Sequence, residues 1–179
     1  MNGGKTKILW EPSQSRIRDS NVTAFIKVIC LDWNTEINCF EELYEFSVTE
    51  PEKFWQSLAG FAGVIVETWG NSVLKNPSKM PGAVWFPDAK FNYAENLLRR
   101  KDDTNALVFW GENKVKLRLS HKELYHEVSR IAQAMRASGV VAGDRVVGYL
   151  PNMPESIIAM LATTSIGAIW SSCSPDFGV

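Results

Sequence analysis

Residues 144–173 read DRVVGYLPNMPESIIAMLATTSIGAIWSSC, and this stretch decides the fold class. Its first part, DRVVGYL, has the length and composition of a buried strand, and AIWSS near its end is another. Between them, PESIIAMLATTSIG is typical of a helix, with Pro154 near its start and Gly167 near its end. A strand, a helix and a strand in this order are typical of a parallel sheet with a crossover helix, so we predict an α/β fold.

The segments just upstream predict a β-hairpin and a long amphipathic helix. ALVFWGE is an apolar run of strand length and NKVKLRLS alternates, so the two are expected to pair around a turn at Glu112 and Asn113. Ser120 and Glu123 fit the S-x-x-E capping box that begins a helix. We expect residues 106–179 to form part of an incomplete parallel α/β sheet, with this helix packed on it.

The first part of the chain is expected to be helical. Residues 1 to about 20 are polar and predicted to be loose, and the Pro/Gly-rich NPSKMPGAVWFPDAK is predicted to be a loop. Helices are predicted over NVTAFIKVICLDW, CFEELYEFSV and TEPEKFWQSLAGFAG, and a shorter one with a basic end over NYAENLLRR. These patterns predict a helical extension over residues 1–100 and the start of a sheet domain over residues 101–179.

Composition and charge argue against several classes of function. The formal net charge is −1, which gives no indication of binding to nucleic acid or to an anionic membrane. No stretch approaches the ~18 consecutive apolar residues of a membrane span, and the N-terminus has no apolar run of signal-peptide length. The three cysteines include no C-x-x-C pair, which argues against a disulfide framework or a zinc site and favours a reduced, cytoplasmic location. The sequence does not indicate an oligomeric state.

The nucleophilic and Gly-rich segments match no complete catalytic motif. His121 and His126 are five residues apart on one predicted helix, so they point to different faces and do not form a chelating pair. They leave no base for a Ser-His or Cys-His system. Cys173 has no basic neighbour in sequence that would favour its thiolate, and we expect it to have a packing role. The sequence contains no G-x-S-x-G elbow, no P-loop and no dinucleotide fingerprint.

One segment is placed where a ligand could bind. SSCSPDFG, residues 171–178, follows the last predicted strand directly. In open parallel sheets, ligands bind beyond the carboxyl ends of the strands. The small side chains of this segment would also let a ligand approach the backbone closely. The residues alone predict no more than an α/β domain with a helical lead-in and a ligand-facing loop.

Several of these segments resemble a known family. GDRVVGYLPNMPESIIAMLATTSIGAIWSSCSPDFGV, residues 143–179, resembles the first half of acyl-CoA synthetases of the adenylate-forming superfamily. The ending IGAIWSSCSPDFG, together with WFPDAKFNYAENLLRR and an early WEPS, is similar to the branch that uses acetoacetate. The acetyl branch shares the helical lead-in but has a glycine-rich stretch where Ser174, Pro175 and Asp176 stand here. The resemblance extends from Trp10 to Val179.

The resemblance implies a function for a longer protein. It implies that residues 1–100 are the helical extension of a synthetase and residues 101–179 the start of its large AMP-binding domain, so that the chain is an N-terminal piece. The whole enzyme would use ATP, Mg²⁺ and CoA to convert acetoacetate to its CoA thioester through an acyl-adenylate, whereas this piece alone would bind none of them and be inactive. The family's phosphate loop and catalytic Lys lie downstream, so no catalytic residue and no metal ligand is assigned here.

The resemblance also implies a role for the loop after the last strand. In related synthetases this loop lies near the pantetheine and phosphates of CoA. The candidate CoA-proximal residues are Ser174, Pro175, Asp176, Phe177 and Gly178.

Two alternatives stay open at this point. The intact enzyme could ligate another short-chain acid such as acetate or propionate, because the acyl pocket lies outside the chain. Alternatively, the chain could be a natural short product that acts as a binding or regulatory module through an exposed sheet edge. A reading frame that continues past Val179 into a Ser/Thr/Gly-rich loop with a Lys would favour the enzyme.

Overall fold

A computed structural model describes residues 9–112 and 115–177 of the chain. The chain divides into two compact units. The first comprises the described residues up to Val64 together with Trp69–Asp88, and the second comprises Ile65–Thr68 and the described residues from Ala89 onward.

The first unit is mainly helical. Its elements are α1 Gln14–Arg18, α2 Asn21–Trp33, α3 Phe40–Thr49, α4 Pro51–Phe61, β1 Leu74–Lys75 and β2 Val84–Trp85. The three predicted helices are confirmed as α2, α3 and α4. The short α1 was not predicted, and it begins because the Ser13 side chain accepts a hydrogen bond from the amide of Arg16 at 3.3 Å. The predicted loop over residues 76–90 contains β2, which pairs with β1 in antiparallel orientation.

Aromatic and aliphatic side chains form the core of the first unit. Its buried members are Phe25, Ile29, Ile37 and Leu43. The ring of Phe25 lies 5.5 Å from that of Phe54 in an edge-to-face arrangement, which is the geometry aromatic pairs prefer. Residues of α2 and α4 thus meet on the apolar faces that their helical periodicity predicts.

The second unit combines helices and strands. Its elements are α5 Tyr93–Leu97, β3 Asn105–Gly111, β4 Val115–Ser120, α6 His121–Ala137, β5 Arg145–Tyr149, α7 Pro154–Ser165 and β6 Ile169–Cys173. The predicted hairpin is confirmed, because β3 and β4 pair in antiparallel orientation. Glu112, at the predicted turn, has a φ of 50° in the left-handed region. Asn113, the other predicted turn residue, lies outside the described residues.

The described part of the parallel sheet consists of two strands. β5 and β6 pair in parallel, from Arg145 opposite Ile169 to Tyr149 opposite Cys173, and α7 makes the crossover. The α/β fold class is therefore confirmed. The prediction that the strand before the capping-box helix shares this sheet is wrong for the described residues, where β4 pairs with β3 alone. β4 takes β3, its neighbour along the chain, as its partner strand. The order of strands and helices therefore did not reveal which sheet β4 joins.

The predicted capping box fixes the start of α6. The Ser120 hydroxyl accepts a hydrogen bond from the Glu123 amide at 3.2 Å, and the Glu123 carboxylate accepts one from the Ser120 amide at 2.8 Å. The helix packs against β3, β4 and α7. Helices α5, α6 and α7, with the residue directly after α5, contribute the buried core of this unit, which comprises Ala94, Leu98, Leu124, Val128, Ala132, Ile158, Leu161 and Ala162.

None of the helices in the described parts of the chain combines the length and the apolar character needed to cross a bilayer.

Candidate functional site

The segment after β6 folds into a compact β-turn. The Phe177 amide donates a hydrogen bond to the Ser174 carbonyl at 3.2 Å, which closes a four-residue turn with Pro175 at its second position. Proline suits this position because its φ is already fixed near the value the turn requires. Gly178, the fifth residue predicted for this loop, lies outside the described residues. Residues 174–177 are called the β6 turn below.

The side chain of Ser174 holds the inside of the β6 turn. Its hydroxyl accepts a hydrogen bond from the Asp176 amide at 3.2 Å. The same hydroxyl donates to the Asp176 carboxylate at 3.0 Å. Short polar side chains that bond to the backbone two residues on are typical of tight turns. The turn is therefore ordered by its own residues before any ligand is considered.

The β6 turn is also attached to the neighbouring strand. The Leu150 amide donates to the Cys173 carbonyl at 3.2 Å, which continues the parallel ladder past the end of β5. The Tyr149 hydroxyl donates to the Pro175 carbonyl at 3.2 Å. Both strands end at this edge, so the turn lies where open parallel sheets place their ligands.

The β6 turn is exposed to solvent. Pro175, Asp176 and Phe177 are exposed, and Ser174 is half-buried. Phe177 keeps 73% of its surface accessible. The turn therefore offers an aromatic ring, a carboxylate and backbone atoms to a molecule that binds at this edge.

Cys173 does not have the predicted packing role. Its side chain is an exposed free thiol. The residues of β6 alternate, and Cys173 shares the outer face with Ile169 and Ser171, whereas Trp170 lies against Gly148 of β5. The expectation of packing is wrong because β6 extends to Cys173 and the last three residues of this strand are all exposed.

The histidines lie on α6, as predicted. His121 is half-buried at the start of the helix and His126 is exposed. His126 borders a cleft of about 510 Å³ on the second unit, lined by Leu117, Leu119, Ile131 and Ile158 among others. Two of the carboxylates at this cleft are engaged within the fold, because Glu123 caps α6 and Glu127 pairs with Arg130. The cleft is thus a mainly apolar surface, and two of the carboxylates at its rim make contacts within α6 and its N-cap.

Two carboxylates among the described residues have shifted pKa values, and both shifts have structural causes. Hydrogen bonds from the Thr104 hydroxyl and amide, with Arg100 beside them, hold the pKa of Asp102 at about 2, below its ordinary value of 3.8. Hydrogen bonds from Ser120 lower the pKa of Glu123. Shifted groups often mark active sites, but these two are exposed and serve a turn and a helix cap. Both shifts are therefore explained by local structure and not by a catalytic role.

The described residues contain no group of three or more His, Cys, Asp and Glu side chains that could hold a metal ion.

Comparison with family models identifies the class of protein that this fold resembles. Residues 94–179 match the model of the AMP-binding enzymes. Residues 40–97 match the model of the acetyl-coenzyme A synthetase N-terminus. The two models meet near α5, and the predicted domain boundary at residue 100 stays a prediction.

Comparison with individual proteins is more specific. The acetoacetyl-coenzyme A synthetase of Rhizobium meliloti (strain 1021) is 44% identical over 170 residues, which cover 95% of this chain and 26% of that protein. The solved structure of acetoacetyl-CoA synthetase from Streptomyces lividans superposes with a TM-score of 0.86 at 37% identity, covering 97% of this chain and 27% of that one. A malonamoyl-CoA synthetase of Penicillium aethiopicum is 31% identical over 183 residues, covering 98% of this chain and 25% of that protein.

These similarities confirm the resemblance predicted from the sequence. The chain is similar over nearly its whole length to acetoacetyl-CoA synthetases, and it spans about a quarter of the length of these relatives.

Proposed function

We propose that this chain is the N-terminal part of an ATP-dependent ligase that joins acetoacetate to coenzyme A. The observation that carries the proposal is the similarity to acetoacetyl-CoA synthetases over 95% of the chain at 44% identity. The superposition on the Streptomyces lividans enzyme, with a TM-score of 0.86, supports the same assignment from the fold. The proposed location is the cytoplasm, which agrees with the three unpaired cysteines.

The proposed reaction has two steps. In the first, a carboxylate oxygen of acetoacetate attacks the α-phosphorus of ATP and pyrophosphate leaves, which forms an acyl-adenylate. In the second, the thiol of CoA loses its proton and attacks the acyl carbon, and AMP leaves. Mg²⁺ would accompany ATP and offset charge on the phosphates. No residue of this chain is assigned to the metal or to the chemistry of either step.

The β6 turn is the part of this chain that we propose to lie near CoA. It lies at the carboxyl ends of β5 and β6, where open parallel sheets bind ligands. Its exposed Phe177 offers an apolar surface of the kind that the pantetheine arm could contact. Ser174, Pro175, Asp176, Phe177 and Gly178 are the proposed CoA-proximal residues, of which the structure describes the first four.

The proposed activity is tested by pyrophosphate exchange. The full-length protein that contains this chain should exchange labelled pyrophosphate into ATP when acetoacetate is supplied, because exchange reports adenylation alone. Acetate, propionate and malonamate are each supplied in place of acetoacetate in separate assays. Faster exchange with one of these acids than with acetoacetate would contradict the assignment of the acyl substrate while leaving the ligase class intact.

The proposed role of the β6 turn is tested at Ser174. Replacing Ser174 by Trp should raise the KM for CoA about tenfold or more, because the indole cannot occupy the half-buried site of the hydroxyl. Ser174→Ala is the matched control, since it removes the hydroxyl without adding bulk, and we expect a smaller rise. A KM for CoA that stays unchanged in Ser174→Trp, in a folded protein, would refute the placement of CoA at this turn.

A ligase for another acid is the second candidate within the same class. The malonamoyl-CoA synthetase of Penicillium aethiopicum is similar over 98% of this chain, so similarity over this quarter does not by itself decide which acid is used. The third candidate is a binding or regulatory module formed by the chain alone. Sequencing past the codon of Val179 distinguishes it, since an open frame with a Ser/Thr/Gly-rich loop and a Lys favours the ligase.

A further inference from the structure

Tyr149 reaches out of its own strand to the β6 turn. It is the last residue of β5 and lies opposite Cys173 in the parallel register. Its hydroxyl donates a hydrogen bond to the Pro175 carbonyl at 3.2 Å. The side chain is 62% exposed, so apolar burial does not explain its position. This hydrogen bond is the polar contact that the structure describes between Tyr149 and the turn.

The bond acts on the one backbone angle that Pro175 leaves open. The proline ring fixes φ, so rotation about ψ is the remaining freedom of this residue. That rotation swings the peptide plane between Pro175 and Asp176. The Tyr149 hydroxyl binds the carbonyl edge of this plane, and the Ser174 hydroxyl binds its amide edge at 3.2 Å. The same peptide group is therefore held from both sides by two hydroxyl groups, one on β5 and one in the β6 turn itself.

We propose that Tyr149 is a positioning residue for the β6 turn and thereby for CoA. Holding the peptide plane sets the directions of the Asp176 and Phe177 side chains, which are the exposed members of the turn. The inference rests on the proposed function, because it takes the β6 turn to be CoA-proximal. Tyr149 itself is not assigned a contact with substrate. Its loss should weaken the CoA step and leave the formation of the adenylate unchanged.

The test removes only the hydroxyl. Tyr149→Phe in the full-length protein should raise the KM for CoA about threefold, because the turn loses one of the hydrogen bonds that hold it. The KM for ATP and the rate of pyrophosphate exchange should stay within about 1.5-fold. Tyr44→Phe is the matched control, since Tyr44 on α3 is 61% exposed against 62% for Tyr149. It should leave every one of these values unchanged.

A second measurement tests whether the Tyr149 hydrogen bond holds the turn when no CoA is bound. Hydrogen exchange of the Asp176 and Phe177 amides should quicken roughly threefold in Tyr149→Phe without CoA present, and Tyr149→Ala should give at least the same change. Unchanged amide exchange in both variants would show that Tyr149 does not hold the turn, whatever the KM for CoA.

The outcomes also distinguish this inference from the proposed role of the turn. If Ser174→Trp raises the KM for CoA and Tyr149→Phe leaves it unchanged, Tyr149 does not position CoA and the turn still contacts it. If both variants leave it unchanged, the proposed role of the turn fails and the CoA part of this inference fails with it. A rise in the KM for CoA in both, with faster amide exchange in Tyr149→Phe, supports both.

Discussion

The core between α6 and α7 and the β6 turn are held together by different forces. In the core, Leu161 keeps 2% of its surface accessible and Ala162 none, so packing and burial stabilise it at about 25 cal/mol per Å² of apolar surface. In the turn, Phe177 keeps 73% of its surface accessible, and hydrogen bonds hold the chain in place. Hydrogen bonds of this kind contribute only about 0.5–1.5 kcal/mol each.

The difference indicates which region can carry function. A substitution in the core changes the free energy of unfolding directly, since neighbouring side chains fill the volume around it. A substitution in the turn changes that free energy little, so its residues can be selected for contact with a ligand. Substitutions in the two regions should therefore affect different measurements, stability in the first and binding in the second.

The largest effect is expected in the core. Leu161→Ala should lower the free energy of unfolding by about 2–5 kcal/mol, because it leaves a cavity among α5, α6 and α7. Leu97→Ala is the matched control, since Leu97 is 48% exposed on α5, and it should cost about 1 kcal/mol or less. Denaturant unfolding followed by circular dichroism measures both. Equal losses in the two variants would contradict the division between core and surface.

The next effect lies at the border between the two regions. A Cβ atom on Gly148 would stand 2.4 Å from the Cη2 atom of Trp170, a distance that real side chains do not adopt. Gly148→Ala should therefore push the indole aside and cost about 1–3 kcal/mol. Val147→Ala, at a neighbouring position that is 69% exposed, should cost less.

Thermal unfolding of both variants is the measurement. If Gly148→Ala were as stable as the unsubstituted protein, the packing of Trp170 against β5 would be wrong. A change in the KM for CoA without a loss of stability would instead assign Gly148 to the turn and not to the core.

The elements that could be predicted from the sequence are those that depend on local patterns. α2, α3, α4 and α6 follow from helical periodicity, and the start of α6 follows from the spacing of Ser120 and Glu123. The position of the β6 turn follows from the strand that precedes it and from its own Pro, Asp and Ser residues. All of these signals lie within a few residues of the feature that they predict.

The features that were missed depend on contacts between distant residues. The approach of Trp170 to Gly148 and the bond from Tyr149 to Pro175 each join segments that only the folded chain brings together. Cys173 was predicted to lie in the loop after the strand, whereas β6 extends one residue further and includes it. The alternation of β6 was the signal that could have placed it.

A smaller effect on stability is expected at the start of α6. Ser120→Ala should lower the free energy of unfolding by about 1 kcal/mol, because the Glu123 amide loses its partner. The effect should depend on pH. The lowered pKa of Glu123 means that its charged form stabilises the fold above its ordinary value of 4.5, and that this stabilisation is lost as pH falls below it.

The pH dependence has its own control. In Glu123→Gln the part of the decline below pH 4.5 that belongs to this carboxylate should disappear, whereas Asp102, with a pKa of about 2, should still contribute to the decline at lower pH. An unfolding profile of Glu123→Gln that superposes on that of the unsubstituted protein at every pH would show that the capping box does not hold in solution. The core helix would then be stabilised by packing alone.

The smallest effect is expected at Cys173, directly before the β6 turn. Its thiol is exposed, and the hydrogen bond that it contributes to the sheet comes from its backbone carbonyl, which accepts from the Leu150 amide. An alanine retains that carbonyl and the strand geometry. Cys173→Ala should therefore change the free energy of unfolding by no more than about 0.5 kcal/mol and the rate of thioester formation by no more than a few-fold. Stopped-flow measurement of AMP release on addition of CoA, with Ser174→Trp as the positive control, is the assay. Loss of pyrophosphate exchange in Cys173→Ala would show that the end of β6 takes part in adenylation, and that the β6 turn cannot be assigned to the CoA step alone.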